Sequence, residues 1–293
     1  MSPLALGLVI TAALLHALWN VAAKHAGASH TFPLLCSLLL AVLWAPVAAW
    51  AVMGGMAAWT PLAWALVLAS GITHLVYFRT LLRGYRESDL TVVYPVARGT
   101  GPLLSSAGAM LLLHEWPTAW TLAGVLGITA GLVLIAGGPA LWRRAHDPGE
   151  RGRIRSGLLW GGMTGVLIAL YTLIDGYSVK VLALSPILVD YIGNLMRIPF
   201  MLPEAWRDRA DFQAAWRLHW KHALLVAAIS PLGYILVLYA ATMAPLSHVA
   251  PAREVSMLFA ALIGGRLLGE TDRGLRMLGA ACMAGGVAAL ALG

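Results

Sequence analysis

Ten apolar runs, each about twenty residues long, dominate this sequence of 293 residues. A helix needs about 20 mostly apolar residues to cross the hydrocarbon layer of a membrane. The runs cover residues 3–23, 33–53, 62–82, 89–112, 118–139, 157–179, 186–206, 221–243, 247–268 and 274–292. Ten such spans use roughly 200 residues and leave only short loops between them. The sequence therefore predicts an all-α integral membrane protein with ten transmembrane helices.

Composition excludes several classes of protein. Hydrophobic residues make up 60% of the chain and charged residues only 11%, whereas a soluble domain carries about 25% charged residues. A soluble globule, a disordered chain and a nucleic-acid-binding domain are therefore poor fits. Cys36 and Cys282 lie within apolar runs without metal-ligand spacing, and the chain has no HExxH, GxSxG or P-loop motif. We predict no enzyme activity, no cofactor, no metal site and no nucleic-acid partner.

The distribution of basic residues predicts how the chain crosses the membrane. Of the 20 lysines and arginines, 15 fall in or at the edges of loops that follow odd-numbered spans, four lie deeper within spans and Lys180 alone lies on the other side. Loops rich in lysine and arginine stay in the cytoplasm. The side with the 15 residues, called the basic side below, is therefore predicted to be cytoplasmic. Both termini then lie on the non-cytoplasmic side, called the opposite side, of a multi-pass protein in the plasma (inner) membrane.

An internal repeat relates the two halves of the sequence at an offset of 155 residues. The matched pairs are Arg98 with Arg253, Glu115 with Glu270, Gly124 with Gly279, Gly131 with Gly286, His16 with Tyr171, and Asn20 with Asp175. Five spans per copy is an odd number, so the second copy enters the membrane from the other side, as in many transporters. We expect two inverted five-helix repeats, residues 1–140 and 157–293, joined by a basic cytoplasmic linker at 141–156.

Two kinds of matched residue in this repeat are predicted to be structural. The glycines give the fifth and tenth helices a small-residue face, which predicts close packing and no substrate contact. Glu115 and Glu270 end their helices at opposite surfaces of the membrane. We expect these two glutamates to cap or pack helices rather than to couple transport.

Two segments of the chain resemble the signature stretches of a known family. YPVARGTGPLLSSAGAMLLLHE (94–115) and VAPAREVSMLFAALIGGRLLGE (249–270) resemble those of EamA-type members of the drug/metabolite transporter superfamily. The resemblance implies ten spans in two copies and a transport function. Chain length and aromatic-lined polar helices are also similar to YddG-type amino-acid exporters, which implies export of aromatic amino acids. Family members are often drawn with cytoplasmic termini, and the charge distribution here predicts the reverse.

Polar side chains at membrane depth are candidates for substrate binding, because they are costly in hydrocarbon unless paired or hydrated. The candidate substrate-binding residues are His16, Trp19, Asn20, His74, Tyr77, Phe78, Tyr94, Arg98, Tyr171, Asp175, Tyr234, Arg253 and Glu254. Any one of them can instead be a buried structural group. Asp190, Asn194 and Arg197 form a further stripe on the seventh helix, either a gate lining or an internal ion pair.

The candidate set suits a zwitterion with an apolar or aromatic body. Arg98 and Arg253 offer planar, permanently charged forks for a carboxylate. Asp175 or Glu254 matches an ammonium group, and the aromatic rings offer stacking. The structural alternative is that Arg253 neutralises Asp175 or Glu254. Adjacent residues of a helix do not face each other, so Arg253 and Glu254 are not expected to pair directly.

Together these features predict a secondary transporter that exports aromatic or other apolar amino acids by alternating access. The alternatives are a carrier for other small metabolites or drugs and, in a different class, an intramembrane enzyme or a scaffold. The predicted partners are a small-molecule substrate, either an amino acid or a related metabolite, and the lipid bilayer. A monomer is compatible with the sequence, which leaves both oligomeric state and proton coupling open.

Overall fold

A computed structural model describes residues 1–25, 29–54, 59–135, 147, 149–263 and 273–293. These residues form α-helices and one short 3₁₀ turn at Arg253–Val255. The helices are α1 (Pro3–His25), α2 (Phe32–Leu43), α3 (Ala45–Met53), α4 (Pro61–Glu87), α5 (Leu90–Leu112), α6 (Ala119–Ile135), α7 (Arg151–Lys180), α8 (Pro186–Arg207), α9 (Arg209–Met243), α10 (Leu246–Ala252), α11 (Ser256–Ile263) and α12 (Arg273–Leu292). The prediction of an all-helical membrane protein is confirmed.

Each of the ten predicted spans coincides with helical structure, although two of them are broken. Among the described residues, four helices are long and apolar enough to cross a membrane by themselves, and the bent pair α2–α3 makes a fifth. Two shorter apolar helices lie at Ala119–Ile135 and Met277–Leu292. The remaining segments, α5, α8 and α10–α11 with its 3₁₀ turn, carry Arg98, Arg197, Arg253 and Glu254, whereas Asp175 lies on the apolar helix α7.

The second predicted span is not one continuous helix. Its two parts, α2 and α3, meet at Trp44 at an angle of 51°. Pro46, in the first turn of α3, has no backbone N–H, and its ring crowds the carbonyl of the preceding turn, which kinks helices. The Trp44 indole donates to the Ala227 carbonyl at 3.1 Å and ties the bend to α9. Only the proline could have indicated this bend from sequence.

The ninth predicted span is broken as well, and the break carries functional residues. Pro251 cannot donate to the Ser247 carbonyl as an interior helix residue would. That carbonyl instead accepts a hydrogen bond from the Ser106 hydroxyl of α5 at 3.1 Å. The helix gives way to the 3₁₀ turn that contains Arg253 and Glu254. The far end of this span, including Glu270, lies outside the described residues.

The two repeats meet along α6 and α12, which cross in antiparallel contact. A Cβ on Gly124 would lie 2.9 Å from the Gly286 carbonyl oxygen, and one on Gly286 would lie 2.8 Å from that of Gly124. Gly131 and Gly279 face each other in the same reciprocal way, at 2.5 and 2.8 Å. Because Gly124 matches Gly279 and Gly131 matches Gly286 in the repeat, these contacts obey a two-fold axis. The predicted close packing and the inverted relation are confirmed.

Away from that axis, the first helix of each repeat packs within the other repeat. Helix α1 lies against α9 and α11 of the second repeat, while α7 lies against α4 and α5 of the first. These pairings correspond to each other under the 155-residue offset. The polar stripes of α1 and α7 are therefore brought to the interface between the repeats, where the arginines of α5 and of the 3₁₀ turn also lie.

Candidate functional site

Arg98 of α5 is buried among partners supplied by both repeats. Its Nε lies 3.3 Å from Glu254 Oε2, and its Nη1 donates to Glu254 Oε1 at 3.4 Å. Its Nη2 donates to His16 Nε2 at 2.7 Å, and its Nε donates to the Tyr94 hydroxyl at 3.4 Å. A guanidinium has no acceptor atom, so the His16 ring nitrogen must accept. Every nitrogen of Arg98 is therefore engaged within the protein.

Arg253 occupies the equivalent position in the second repeat but has few partners. It is 5% exposed, and its Nε and Nη2 are buried without a hydrogen-bond partner among the described residues. Its Nε lies 3.6 Å from Glu254 Oε1, at ion-pair distance. The expectation that these adjacent residues would not pair is therefore wrong, because both long side chains turn into the same buried space. The contact leaves the Nη2 group of the guanidinium without a hydrogen-bond partner among the described residues.

Asp175 of α7 and Tyr234 of α9 form the second polar group of the interior. The Tyr234 hydroxyl donates to Asp175 Oδ2, and the Asp175 side chain is buried. Both residues, together with Tyr171, lie within electrostatic range of the Arg253 guanidinium. No ion pair at contact distance joins Arg253 to Asp175 in the described part of the chain. The two opposite charges therefore lie within electrostatic range of each other without a direct ion pair.

Aromatic rings pack together beside Asp175 and Tyr234. His74 stacks on Tyr171 with ring centroids 3.9 Å apart, and Tyr234 meets His74 edge to face at 5.7 Å. Tyr77 approaches Tyr171 at 5.7 Å. His74 Nδ1 is 3.0 Å from the carbonyl oxygen of Ser70, one turn earlier on α4, which fixes the ring. Ser70 was not among the predicted site residues, and its four-residue spacing before His74 is the signal that could have found it.

Three predicted site residues lie away from this cluster or use their polar groups locally. The Asn20 amide donates to the His16 carbonyl of its own helix at 2.7 Å. Trp19 meets the His16 ring edge-on at 4.9 Å and packs into an apolar cluster with Phe32. Phe78 lines a cavity on the basic side. The structure therefore brings the other ten candidates together, with some of them around Arg98 and the rest around Arg253.

The polar stripe of α8 has a partly structural role. The Asn194 amide donates to the Ser37 carbonyl at 3.0 Å and anchors α8 to α2. Asp190 and Arg197 interact electrostatically, but no contact-distance ion pair joins them within the described residues. Arg197 also lies within electrostatic range of His74 and Asp175. The stripe therefore lies beside the aromatic space rather than forming a closed internal pair.

A large cavity opens on the basic side, and a smaller one lies on the opposite side. The larger has a volume of about 690 Å³ and is lined by ends of α2, α4 and α8, including Phe78, Arg79 and Glu204. Its inner wall is an apolar layer of Leu34, Leu75 and Met201. The smaller, of about 180 Å³, lies at the ends of α3 and α7. The described conformation is therefore more open on the basic side.

Comparison with known proteins agrees with this architecture. Residues 3–137 and 155–292 each match the model of the EamA-like transporter family. The chain belongs to this family. No curated protein matches it. One solved structure, described only as "Crystal structure of protein", is 17% identical, covers 98% of both chains and superposes with a TM-score of 0.71, so it shares the fold.

Membership in the family shows the general role of the protein. EamA-like proteins are membrane transporters, so this protein moves a small molecule across a lipid bilayer. The two matched stretches of the family model correspond to the two inverted repeats, and the polar cluster lies where these repeats meet. Substrate sites of inverted-repeat transporters lie near the midplane at such interfaces. The cluster around Arg253 and Asp175 is therefore the candidate substrate site of this EamA-like transporter.

Proposed function

We propose that this EamA-like transporter exports amino acids with aromatic or other apolar side chains, by alternating access. The observation that carries the proposal is the buried Arg253 guanidinium, whose Nε and Nη2 lack hydrogen-bond partners among the described residues. A buried donor without a partner costs about 1–3 kcal/mol, and more when it is charged. A protein can retain such an unpaired donor where a bound ligand supplies the missing acceptor. A substrate carboxylate is the acceptor that matches a guanidinium fork.

The charge balance of the interior favours a zwitterion. Three arginines, Arg98, Arg197 and Arg253, lie in or beside this interior with three acids, Asp175, Asp190 and Glu254. Arg98 and Glu254 pair at 3.3 Å, and Arg197 interacts with Asp190. This leaves Arg253 and Asp175 as a separated pair of opposite charges. An amino acid presents the complementary pair, with its carboxylate toward Arg253 and its ammonium toward Asp175. A simple anion or a simple cation would leave one of the two protein charges uncompensated in a low-dielectric space.

The surroundings of the charges favour an aromatic or apolar side chain on the substrate. Tyr171, His74 and Tyr77 present rings beside the charged pair, and such rings add about 0.5–1.5 kcal/mol to a contact with another ring. The larger cavity opens on the basic side, the side that the charge distribution predicts to be cytoplasmic. Loading from that side corresponds to export.

Flux measurements in proteoliposomes test the proposal. We would measure a panel of labelled amino acids, their deaminated and decarboxylated analogues, a nucleoside and a lipophilic cationic drug, with and without a pH gradient. We expect flux of phenylalanine and tryptophan, and little flux of either kind of analogue. Flux of the cation or nucleoside but of no amino acid would contradict the proposal, and the pH gradient shows whether a proton is coupled.

The orientation is part of the same proposal, with both termini outside and the linker at 141–156 in the cytoplasm. Single cysteines at Ser2 and Ser156 would be treated with an impermeant thiol reagent in intact cells. The cysteine at Ser2 should react and the one at Ser156 should not. The reverse pattern would overturn the orientation and with it the argument for export.

A further inference from the structure

The loop after α5 holds a glutamate that binds two other elements on the opposite side. Glu115 Oε1 accepts from the Lys180 ammonium at 2.8 Å and from the backbone amide of Leu246 at 2.7 Å. Glu115 Oε2 accepts from the amide of Ser247 at 2.8 Å. Lys180 also donates to the Ala244 carbonyl at 3.0 Å. The ion pair thus joins the ends of α5 and α7, and the two amide hydrogen bonds join them to the start of α10.

This group of contacts, called the Glu115 clasp below, explains the unusual position of Lys180. Lys180 is the one basic residue that the sequence places in a loop or at a terminus on the opposite side. Partial burial by itself would raise the pKa of Glu115, but the bonds from Lys180, Ser247 and Leu246 hold that pKa below its usual value. The carboxylate is therefore ionised at neutral pH, and the predicted capping role of Glu115 is confirmed.

A short helix connects the Glu115 clasp to the candidate substrate site. It holds the first residues of α10, a seven-residue helix that leads directly into Arg253 and Glu254. The Leu246 side chain lies against Gly176 of α7, where a Cβ would clash. These contacts pack α10 against α7 on the opposite side, while the basic side has the cavity of about 690 Å³. They begin one short helix away from the candidate substrate site.

We propose that the Glu115 clasp is the gate latch of the opposite side, and that it must open for substrate to leave there. The inference rests on alternating access in the proposed function but not on which substrate is carried. The latch is built to open, because Lys180 is 24% exposed and Glu115 is 10% exposed at the membrane surface. Water there can replace the lost partners. The Arg98–Glu254 pair, at 8% and 0% exposure, has no such access to water.

Thiol accessibility tests the latch without reference to transport. The reporter is Ser178→Cys, since Ser178 is fully buried two residues before the end of α7. Cys36 and Cys282 are unpaired and would first be replaced by alanine. The purified protein in nanodiscs is then treated with a polar maleimide. Because a hydrogen bond to a charged group contributes about 1.5–3 kcal/mol, Glu115→Gln should speed labelling about tenfold or more.

Two further variants keep the test decisive. Lys180→Met removes only the ammonium, leaves the backbone amides bonded to Glu115, and should speed labelling about threefold to tenfold. Glu204→Gln is the matched control, because it breaks the 2.5 Å Arg79–Glu204 ion pair on the basic side and should leave labelling unchanged. If neither Glu115→Gln nor Lys180→Met speeds labelling, or if both fail to fold, the latch is overturned. These outcomes are independent of amino-acid flux, so they are distinguishable from failure of the proposed function.

Discussion

Arg98 and Arg253 occupy equivalent positions in the two repeats, yet their environments differ. Arg98 lies between Glu254, His16 and Tyr94, and all its nitrogens are engaged. Arg253 touches Glu254 only at 3.6 Å and keeps unpartnered N–H groups. The residue that follows differs as well, since Arg98 is followed by Gly99 and Arg253 by Glu254. In the proposed function, one inverted scaffold therefore supplies both a structural arginine, Arg98, and an arginine available to a ligand, Arg253.

The polar residues of α1 and α7 differ in the same way. His16 and Asn20 of α1 correspond to Tyr171 and Asp175 of α7. On α1, His16 satisfies Arg98 and Asn20 bonds to its own helix. On α7, Tyr171 joins the aromatic rings and Asp175 binds Tyr234. We therefore call the surroundings of Arg98 the structural half, and those of Arg253, where the proposed function puts the ligand, the ligand half.

The largest effect should come from removing the structural arginine. Arg98→Gln leaves Glu254, at 0% exposure, as a buried charge with a single distant partner, which should cost about 3–5 kcal/mol of stability. Thermal unfolding in detergent measures this loss. Arg98→Gln combined with Glu254→Gln should recover most of it, because no isolated charge remains. A stable but inactive Arg98→Gln would place the carboxylate at Arg98 instead and reverse the comparison.

Arg253→Lys should give the largest effect on transport. Lysine keeps the charge but loses the planar fork, and a lost hydrogen bond to a charged group corresponds to a change of about tenfold to a hundredfold in affinity. We expect KM for amino-acid flux to rise by that factor while the melting temperature changes little. Equal losses of stability in Arg253→Lys and Arg98→Lys would show that the two arginines have the same role.

Asp175→Asn tests the other charge of the ligand half. Without the carboxylate, the substrate ammonium loses its partner, and amino-acid flux should fall about tenfold. Flux of a deaminated analogue such as 3-phenylpropionate should fall less or should rise. Asn20→Ala, at the matched position of α1, is the control and should leave flux nearly unchanged. An equal fall for both ligands in Asp175→Asn would indicate that Asp175 only supports Tyr234.

The smallest effect concerns aromatic selectivity. Tyr77→Ala removes a ring beside Tyr171, which should cost about 0.5–1.5 kcal/mol for aromatic substrates, or about twofold to tenfold in KM. Alanine and threonine flux should change less. Trp19→Ala, beside His16 in the structural half, should lower stability without changing selectivity. Competition assays with phenylalanine against alanine measure both, and equal losses for all substrates would assign Tyr77 to packing.

Many residues of the candidate site could be predicted from the sequence, because charge and hydropathy are properties of single residues. Arg98, Arg253, Asp175 and Glu254 stand out in apolar runs, since membranes exclude unpaired charge. Their pairing was not predictable, because Glu254 and Arg98 are 156 residues apart and meet only through the crossing of α5 with the 3₁₀ turn. Trp19 and Phe78 share helix faces with site residues, but neighbouring helices turn them toward other surroundings.

The sequence by itself determined the ten apolar segments, the two-fold repeat and the all-helical membrane class, because hydrophobic length and periodicity act locally along the chain. Only the tertiary structure decided where α2–α3 bends and which group binds the carbonyl that Pro251 releases. It also decided which of two equivalent arginines retains unpartnered N–H groups. These outcomes depend on side chains that packing brings together from opposite repeats. A residue's type sets what it can bind, and its long-range neighbours decide whether that capacity is already used.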